Sequence, residues 1–553
     1  MHLARDREDS RLTKGVRAGM DYLQRLRPIS APNGPVPYTE GPLPDLKVLV
    51  TAAEAYPEFE RLVMGAQKTI TASFRIFDPT TRLMSDAAQA VGDTWEDLIA
   101  DALKRGVHVQ VFLSDFDPIA AAALHRGSWF SARRLRARAQ SEGCAAQMDV
   151  RVCMHPAQSG YPIRLAAAPA ARRTLRKMAK WINDQGLTQR DGYLRDAPAL
   201  ARMFRLGPHG ALKVSKGVIP PLRPVTHHQK VAVIDREKLY IGGLDLDDRR
   251  ADGKDHKKSA ARTWADVQLS LTGPIAAQAE DHLRAFTFEV EGEQPIPQRP
   301  GLLRTLSVRR TGLGALRIGP KPQISEIADR TLQGVRGATG FIYLETQFLR
   351  DLHLARDIAR RGHDAPDLGL IVVLPAAPED LAFEGARGMD ARFGEHLQSR
   401  CLEILDRAFG ERAAFVSPAQ PRGTAPDGTR RVLCGAPIIY VHSKVSIFDD
   451  TLGIVSSANL NGRSARWDTE AGVALSDRAQ VLHLRDRVMR HWLPDTPDPA
   501  LLDPRLAPAA WRSLALANRD ARPTDRQGFV LPYPMAAPRR FGRPIPGLTQ
   551  DMM

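Results

Sequence analysis

From residue 46 onward, apolar positions fall into short runs separated by longer amphipathic stretches. Residues 47–51, 69–74 and 107–113 are runs of strand length, and 94–104 carries its apolar positions at helical spacing. That alternation predicts α/β layering. It continues with an apolar run at 224–235, strands at 238–241 and 264–271, and a helix at 274–286. Residues 291–300, with three prolines, read as a linker, after which the alternation restarts. A helix near 323–334, a strand at 340–345, a helix at 351–361, a strand at 369–374 and a helix at 392–409 lead to strands at 437–448 and 452–456 and a helix at 478–492. Residues 1–42, polar and then rich in Pro and Gly, predict an extended arm. Residues 496–553, rich in Pro and Arg, predict an irregular tail across the folded body. The expected organisation is an arm (1–42), a first half (43–290), a linker (291–300), a second half (301–495) and the tail.

Two of the apolar runs carry the same polar residues. His228-Gln-Lys230 is followed by Asp235, and His442-Ser-Lys444 by Asp449, so both read His-x-Lys-x-x-x-x-Asp. Aligning His228 with His442 keeps an ungapped register over 22 positions, which sets Asp245 against Asn459 and Arg249 against Arg463. Internal duplication explains such a register. It predicts an α/β fold of two similar halves, each a mixed β-sheet flanked by helices, packed as a pseudo-two-fold pair with the active site between them. Side chains two apart on a strand share a face, so each His points with its Lys, and Asp235 and Asp449, of opposite parity, read as structural. By the same rule His227 faces away from Lys230 and is a packing or hydrogen-bonding residue.

Composition narrows the setting. Over 553 residues, 43% hydrophobic and 25% charged, no stretch approaches the roughly 18–20 uninterrupted apolar residues of a membrane span. The charged start lacks the apolar core of a secretory signal, so the expected location is cytoplasmic or peripheral to a membrane, with leaderless export compatible. Four cysteines without a Cys-x-x-Cys pair support neither a zinc site nor a disulfide framework. The net charge of +15 is concentrated in residues 119–223, which hold 19 Lys or Arg against 5 Asp or Glu and read as a basic insertion with no counterpart in the second half. Within it, Ala171, Leu175, Met178 and Ile182 share one helical face and Arg172, Arg173, Arg176, Lys177 and Lys180 surround the rest. Such a helix either packs on its own domain or lies on an anionic membrane. Lysine is scarce: after Pro300 only Lys321 and Lys444 occur, yet both motifs have it. A compact ammonium suits a tight contact with a phosphoryl oxygen better than a planar guanidinium does.

Two His and two Lys converging on one cleft suit phosphodiester chemistry: one imidazole attacks phosphorus and the other protonates the leaving alcohol. Lys230, Lys444, Asn459 and Ser457 are then positioned to hold the non-bridging oxygens. Each imidazole needs a partner on its other nitrogen, and Glu470 is the candidate for His442 and Asp266 for His228. Asp245, Ser457, Glu345 and Gln347 are candidate substrate contacts. Neither a metal nor another cofactor is implied.

Both stretches resemble the HKD motifs of the phospholipase D superfamily. The resemblance covers roughly residues 45–495 and includes Ser457-Ala-Asn459-Leu-Asn461-Gly-Arg463-Ser464 with the following Glu470, Phe77-Asp78-Pro79, Arg304-Thr-Leu-Ser307, Tyr343-Leu-Glu345-Thr-Gln347-Phe348 and Gly242-Gly-Leu-Asp245-Leu. These stretches are more similar to the lipid-acting, two-motif enzymes than to the short nucleases. The resemblance implies a metal-independent, two-step phosphohistidine mechanism on glycerophospholipid, by hydrolysis or transphosphatidylation, with His228 the nucleophile and His442 the acid–base group. It also implies a monomer, with both motifs in one chain, working at an anionic membrane surface. A nuclease of the same superfamily, for which the basic segment is the electrostatic footprint, and a catalytically silent membrane-binding protein are the alternatives.

Overall fold

The computed structural model describes residues 41–292, 296–425 and 427–553, so nearly all of the expected N-terminal arm lies outside the described residues. Two mixed sheets carry the fold. The first contains β1 (Lys47–Val50), β2 (Thr69–Phe74), β3 (His108–Ser114), β4 (Met148–Cys153), β5 (Val231–Ile234), β6 (Lys238–Gly242) and β7 (Val267–Thr272) in the order β1-β7-β6-β5-β2-β3-β4. The second has nine strands: β8 (Leu303–Val308), β9 (Phe341–Thr346), β10 (Gly369–Val373), β11 (Ala413–Pro418), β12 (Lys444–Phe448), β13 (Leu452–Ser456) and β14 (Glu470–Leu475) in the order β8-β14-β13-β12-β9-β10-β11, with Lys321–Ser325 added beyond β8 and Val530–Pro532 beyond β11. Each strand of the first sheet thus has its counterpart seven places on. Directions match as well: β2-β3-β4 and β9-β10-β11 run parallel, and the other pairs are antiparallel. A duplicated topology of this kind is what the 22-position register implies.

The two sheets share one apolar core. Val231 and Val233 of β5, Tyr343 of β9 and Val445 and Ile447 of β12 belong to a single buried cluster. It also includes Leu283 and Phe286 of the helix Pro274–Glu291 and Leu484, Val488 and Trp492 of the helix Arg478–Trp492. These two helices follow β7 and β14 and are themselves equivalent. Each also packs against the outer strand of the opposite half, Pro274–Glu291 on β8 and Arg478–Trp492 on β1. The helices Ala52–Met64, Trp95–Lys104 and Ala122–Ser141 cover the other face of the first sheet.

Three expectations change. The helix Ala122–Ser141 and β4 lie inside the supposed insertion, yet they match Met389–Phe409 and β11. The unmatched segment therefore begins after β4; this strand (Met-Asp-Val-Arg-Val-Cys), with charged residues at alternate positions (Asp149, Arg151), concealed a sheet edge. The tail is not irregular: the helix Ala507–Asp520 packs on β10 and β11, and Val530–Pro532 pairs antiparallel with β11. Trp511 and Val530, both fully buried, supply the apolar anchor. Finally, the motif strands are broken. The regular part starts only at Val231 in the first copy, and in the second Tyr440–Val441 is separated from β12 by His442 and Ser443.

Candidate active site

The breaks in the motif strands are where the halves meet. Tyr440–Val441 pairs in parallel with Trp264–Ala265, so the second-motif chain is stitched to the first half. Reciprocally, His227 bridges to Thr469. The backbone N–H of His442 donates to Ala265 O (2.8 Å) and that of His228 to Thr469 O (2.8 Å). Each motif histidine is therefore held by backbone of the other half, and its ring meets that half's carboxylate.

His228 Nδ1 lies 3.0 Å from Glu470 Oε2 and 3.1 Å from the Ser457 carbonyl oxygen. His442 Nδ1 lies 2.6 Å from Asp266 Oδ2. This corrects the expected assignment, in which Glu470 served His442 and Asp266 served His228. The reason is the exchange of edges: Asp266 follows Ala265, which pairs with Val441, and Glu470 follows Thr469, which bridges to His227. Gly243 makes the first approach feasible, since a Cβ there would meet Asp266 Oδ1 at 2.1 Å. Its counterpart Ser457 donates its hydroxyl to Glu470 Oε2 (2.5 Å), so that side chain positions a carboxylate.

The lysines lie beside their histidines. Lys230 Nζ donates to His228 O (2.5 Å) and sits 3.6 Å from Asp245 Oδ2. Lys444 Nζ donates to His442 O and lies 2.9 Å from His442 Nδ1. Asp245 is fully buried, with Oδ2 accepting from Arg250 Nη1 (2.6 Å) and Oδ1 from Ile76 N (2.9 Å), so protein groups occupy both oxygens. At the equivalent place, Asn459 Nδ2 donates to Gln347 Oε1 (3.2 Å) and Gln347 Nε2 to Tyr440 OH (2.9 Å), while Asn459 Oδ1 has no partner among the described residues. Arg75, which follows β2 as Gln347 follows β9, bears on Asp245 and on His228 electrostatically. One half thus places a charged Arg75–Asp245 arrangement where the other has two amides.

Glu345 lies elsewhere. It accepts from Ser443 Oγ (2.5 Å), Tyr343 OH (2.5 Å) and Trp492 Nε1 (2.8 Å), on the face of the sheet opposite Lys444. The expectation that it joins Gln347 in the cleft fails because Gln347 stands beyond the end of β9, where strand parity no longer applies. Asp235 and Asp449 are also remote from the histidines. Asp235 accepts from the backbone N–H groups of Gln67, Lys68 and Thr69, and Asp449 from those of Thr339, Gly340 and Phe341. Both occupy left-handed turns (φ 55° and 54°), a conformation Asp tolerates better than most side chains. His227 Nδ1 meets Thr469 Oγ1 (2.8 Å), and its ring packs on His155 and Phe286. Sequence reasoning missed Trp264, whose ring lies 5.1 Å from that of His442, the half-buried cation Arg75 and the buried cation Arg250. Extending the duplicated register to the ends of β2 and β9 brings Arg75 opposite Gln347 and points to it.

Burial sets the electrostatics. It holds both imidazoles well below their usual range, with Lys230 and Arg75 adding to the effect at His228 and Lys444 and Arg250 at His442. Burial pulls Lys230 down to about 8 and Lys444 down to about 7, each opposed by a carboxylate, Asp245 and Asp266 respectively. It pushes Asp266 up to about 6 and also raises Glu470. His228 Nδ1 meets two acceptors, and a carbonyl oxygen cannot donate. Nδ1 therefore carries the hydrogen and Nε2 keeps its lone pair. His442 Nδ1 meets one ammonium and one carboxyl whose proton affinity is raised, so the His442–Asp266 pair is suited to hold and release a proton.

The chain is similar over part of its length to several known proteins. A protein-family model described as "Cardiolipin synthase, PLD-like domain" matches residues 427–492, which include His442, Lys444, Asn459 and Glu470. Phospholipase D alpha 1 of Oryza sativa subsp. japonica is 24% identical, with 47% of this chain and 46% of that protein covered. Phospholipase D A of Dictyostelium discoideum is 22% identical, with 49% and 26% covered. The chain spans about half the length of the first of these relatives. Among solved structures, the phosphatidylserine synthase of Haemophilus influenzae Rd KW20 is 12% identical, with 81% of this chain and 86% of that one covered at a TM-score of 0.47. Together, the family model over residues 427–492 and these relatives over about half of the chain support a member of the phospholipase D superfamily.

Proposed function

We propose that this protein cleaves the phosphodiester of a glycerophospholipid, hydrolysing it or transferring it to an alcohol, through a phosphohistidine on His228. The observation that carries the reading is the placement of Glu470 and the Ser457 carbonyl on His228 Nδ1, which leaves Nε2 with its lone pair. In the first step Nε2 attacks phosphorus and the bond to the head-group oxygen breaks. The His442–Asp266 pair delivers a proton to that oxygen, so the head group leaves as a neutral alcohol function. In the second step water, or another alcohol, gives a proton back to the pair and attacks phosphorus. The P–N bond breaks, and phosphatidate or its ester departs. Lys230, Lys444 and Asn459 take up charge on the non-bridging oxygens, where fixed cations in a water-poor site are most effective. This chemistry uses one phosphoryl group at a time, so both motifs serve one site.

The lipid reading draws on the resemblance of the motif flanks to the lipid-acting enzymes. Its test is turnover of phosphatidylcholine by the purified protein, with release of choline and phosphatidate, and loss of that activity in His228→Ala and His442→Asn. Cleavage of DNA or RNA with no phospholipid turned over overturns it in favour of a nuclease.

A further inference from the structure

The segment between β4 and β5 has no counterpart in the second half and folds around a small core of its own, built by Leu175, Ile182, Leu200, Phe204 and Leu212 among others. Its long helix, Tyr161–Asn183, turns Leu175 and Ile182 inward, both fully buried. The helix therefore does not lie apolar face down on a membrane. What it presents outward is the cationic side. Between that side and the hairpin Phe204–Leu206/Leu212–Val214 runs a groove of about 740 Å³. Arg172, Arg176 and Lys180 line it on the helix, and Arg205, Lys213 and Lys216 on and after the hairpin. Asp184 is the one acid in its lining, and none of the six cations is ion-paired with a carboxylate among the described residues. Elsewhere buried and half-buried arginines such as Arg250, Arg299 and Arg304 are paired. Six like charges gathered without counter-ions destabilise a fold unless an anionic partner neutralises them.

We propose that this groove docks the protein on the phosphate-bearing surface of an anionic lipid bilayer. Two features select a bilayer over a nucleic acid. No aromatic ring lines the groove, so it offers no platform on which bases stack. Exposed leucines flank it instead: Leu165, 54% exposed, continues the stripe of Arg172, Arg176 and Lys180 along the helix, and Leu206, 65% exposed, stands at the hairpin end beside Arg205. Cations that engage head groups together with aliphatic side chains that enter the interface are the combination a bilayer surface takes. The chain leaving the groove at Gly217 reaches His228 after 11 residues. Even fully extended, those residues span at most about 40 Å. Docking here thus holds the proposed site near the lipid, a consequence that rests on the functional reading above.

The test is co-sedimentation of the full chain with vesicles of phosphatidylcholine alone and of phosphatidylcholine mixed with phosphatidylserine. The expected result is binding to the mixed vesicles that weakens roughly tenfold or more in Arg172→Glu/Arg176→Glu/Lys213→Glu, given the contribution of each cation at an anionic surface. Leu206→Ser should weaken it by a smaller factor, and it keeps the proposal testable should the charge-reversal variant not fold, as judged by circular dichroism and thermal unfolding. Equal binding of the folded variants and the parent protein overturns the proposal. So does a groove variant that loses affinity for a single-stranded oligonucleotide while keeping its affinity for mixed vesicles. Binding is read without turnover, so charge-dependent docking in a protein that cleaves no phospholipid upholds this proposal and defeats only the functional reading.

Discussion

His228 Nδ1 lies 3.0 Å from Oε2 of Glu470, a residue of the other half and 242 positions further along the chain. His442 is served the other way, by Asp266 of the first half at 2.6 Å. Neither half can complete its own histidine, which couples assembly of the two sheets to assembly of the site.

The exchange predicts that the two carboxylates control different steps. Glu470→Gln should slow formation of the phosphohistidine by about 10²–10⁴-fold, the range of a lost acid–base partner, because the nucleophile loses the carboxyl that supports the positive charge its imidazole takes on as Nε2 attacks. Asp266→Asn should slow proton delivery and therefore both steps, including decay of the intermediate once formed. Rapid-quench single-turnover kinetics on the two variants separates these outcomes. Decay unaffected in Asp266→Asn contradicts the pairing.

A pH dependence of opposite sign in the two steps follows from Asp266. Its carboxyl is raised by burial to about 6, above the ordinary value, so the proton shared with His442 is held below that pH and released above it. Formation of the intermediate needs that proton on the pair and should fall by about tenfold per unit as pH rises beyond 6. Decay needs the pair deprotonated and should rise through the same value. The measurement is each single-turnover rate across pH, repeated in Asp266→Asn, where the inflection should disappear.

Asp235 and Asp449 complete the motifs by name but belong to the fold. Removing either leaves three backbone N–H groups without their acceptor. Asp235→Ala or Asp449→Ala should each destabilise by about 1–3 kcal/mol while leaving the single-turnover rates of the folded protein near those of the parent. Burial would raise the Asp235 carboxyl, but the three backbone hydrogen bonds outweigh it and hold it below the ordinary value. Its contribution to stability is therefore present above the ordinary aspartate range and is lost as pH falls through the depressed value. Thermal unfolding at neutral and acid pH checks both statements: the difference between parent and Asp235→Ala should shrink on acidification.

Much of this was legible from the chain. Two-residue parity placed His228 with Lys230 and turned Asp235 away, and the ungapped register from His228 to Arg249 predicted two sheets of like topology. Parity does not say which strand of the other half a side chain will meet, so the Asp266 and Glu470 partners came out exchanged. It also lapses where a strand ends, which is why Gln347 and Glu345 part company. The first half's β4 escaped notice because its alternating charged residues (Asp149, Arg151) face outward on an edge strand, leaving too weak an apolar signal. The tail hid a strand for a related reason: Val530–Pro532 has only three residues and draws its stability from β11 and the Ala507–Asp520 helix, not from local pattern. Arg75 and Arg250 lie outside the motifs themselves, and their importance comes from the charge they place beside Asp245.

The most direct test of the account is to quench the reaction with a phospholipid labelled at phosphorus and to locate the label in the protein. The expected result is a phosphohistidine on the peptide containing His228, absent in His228→Ala and longer-lived in His442→Asn; label on His442 instead would contradict the assignment of His228 as nucleophile.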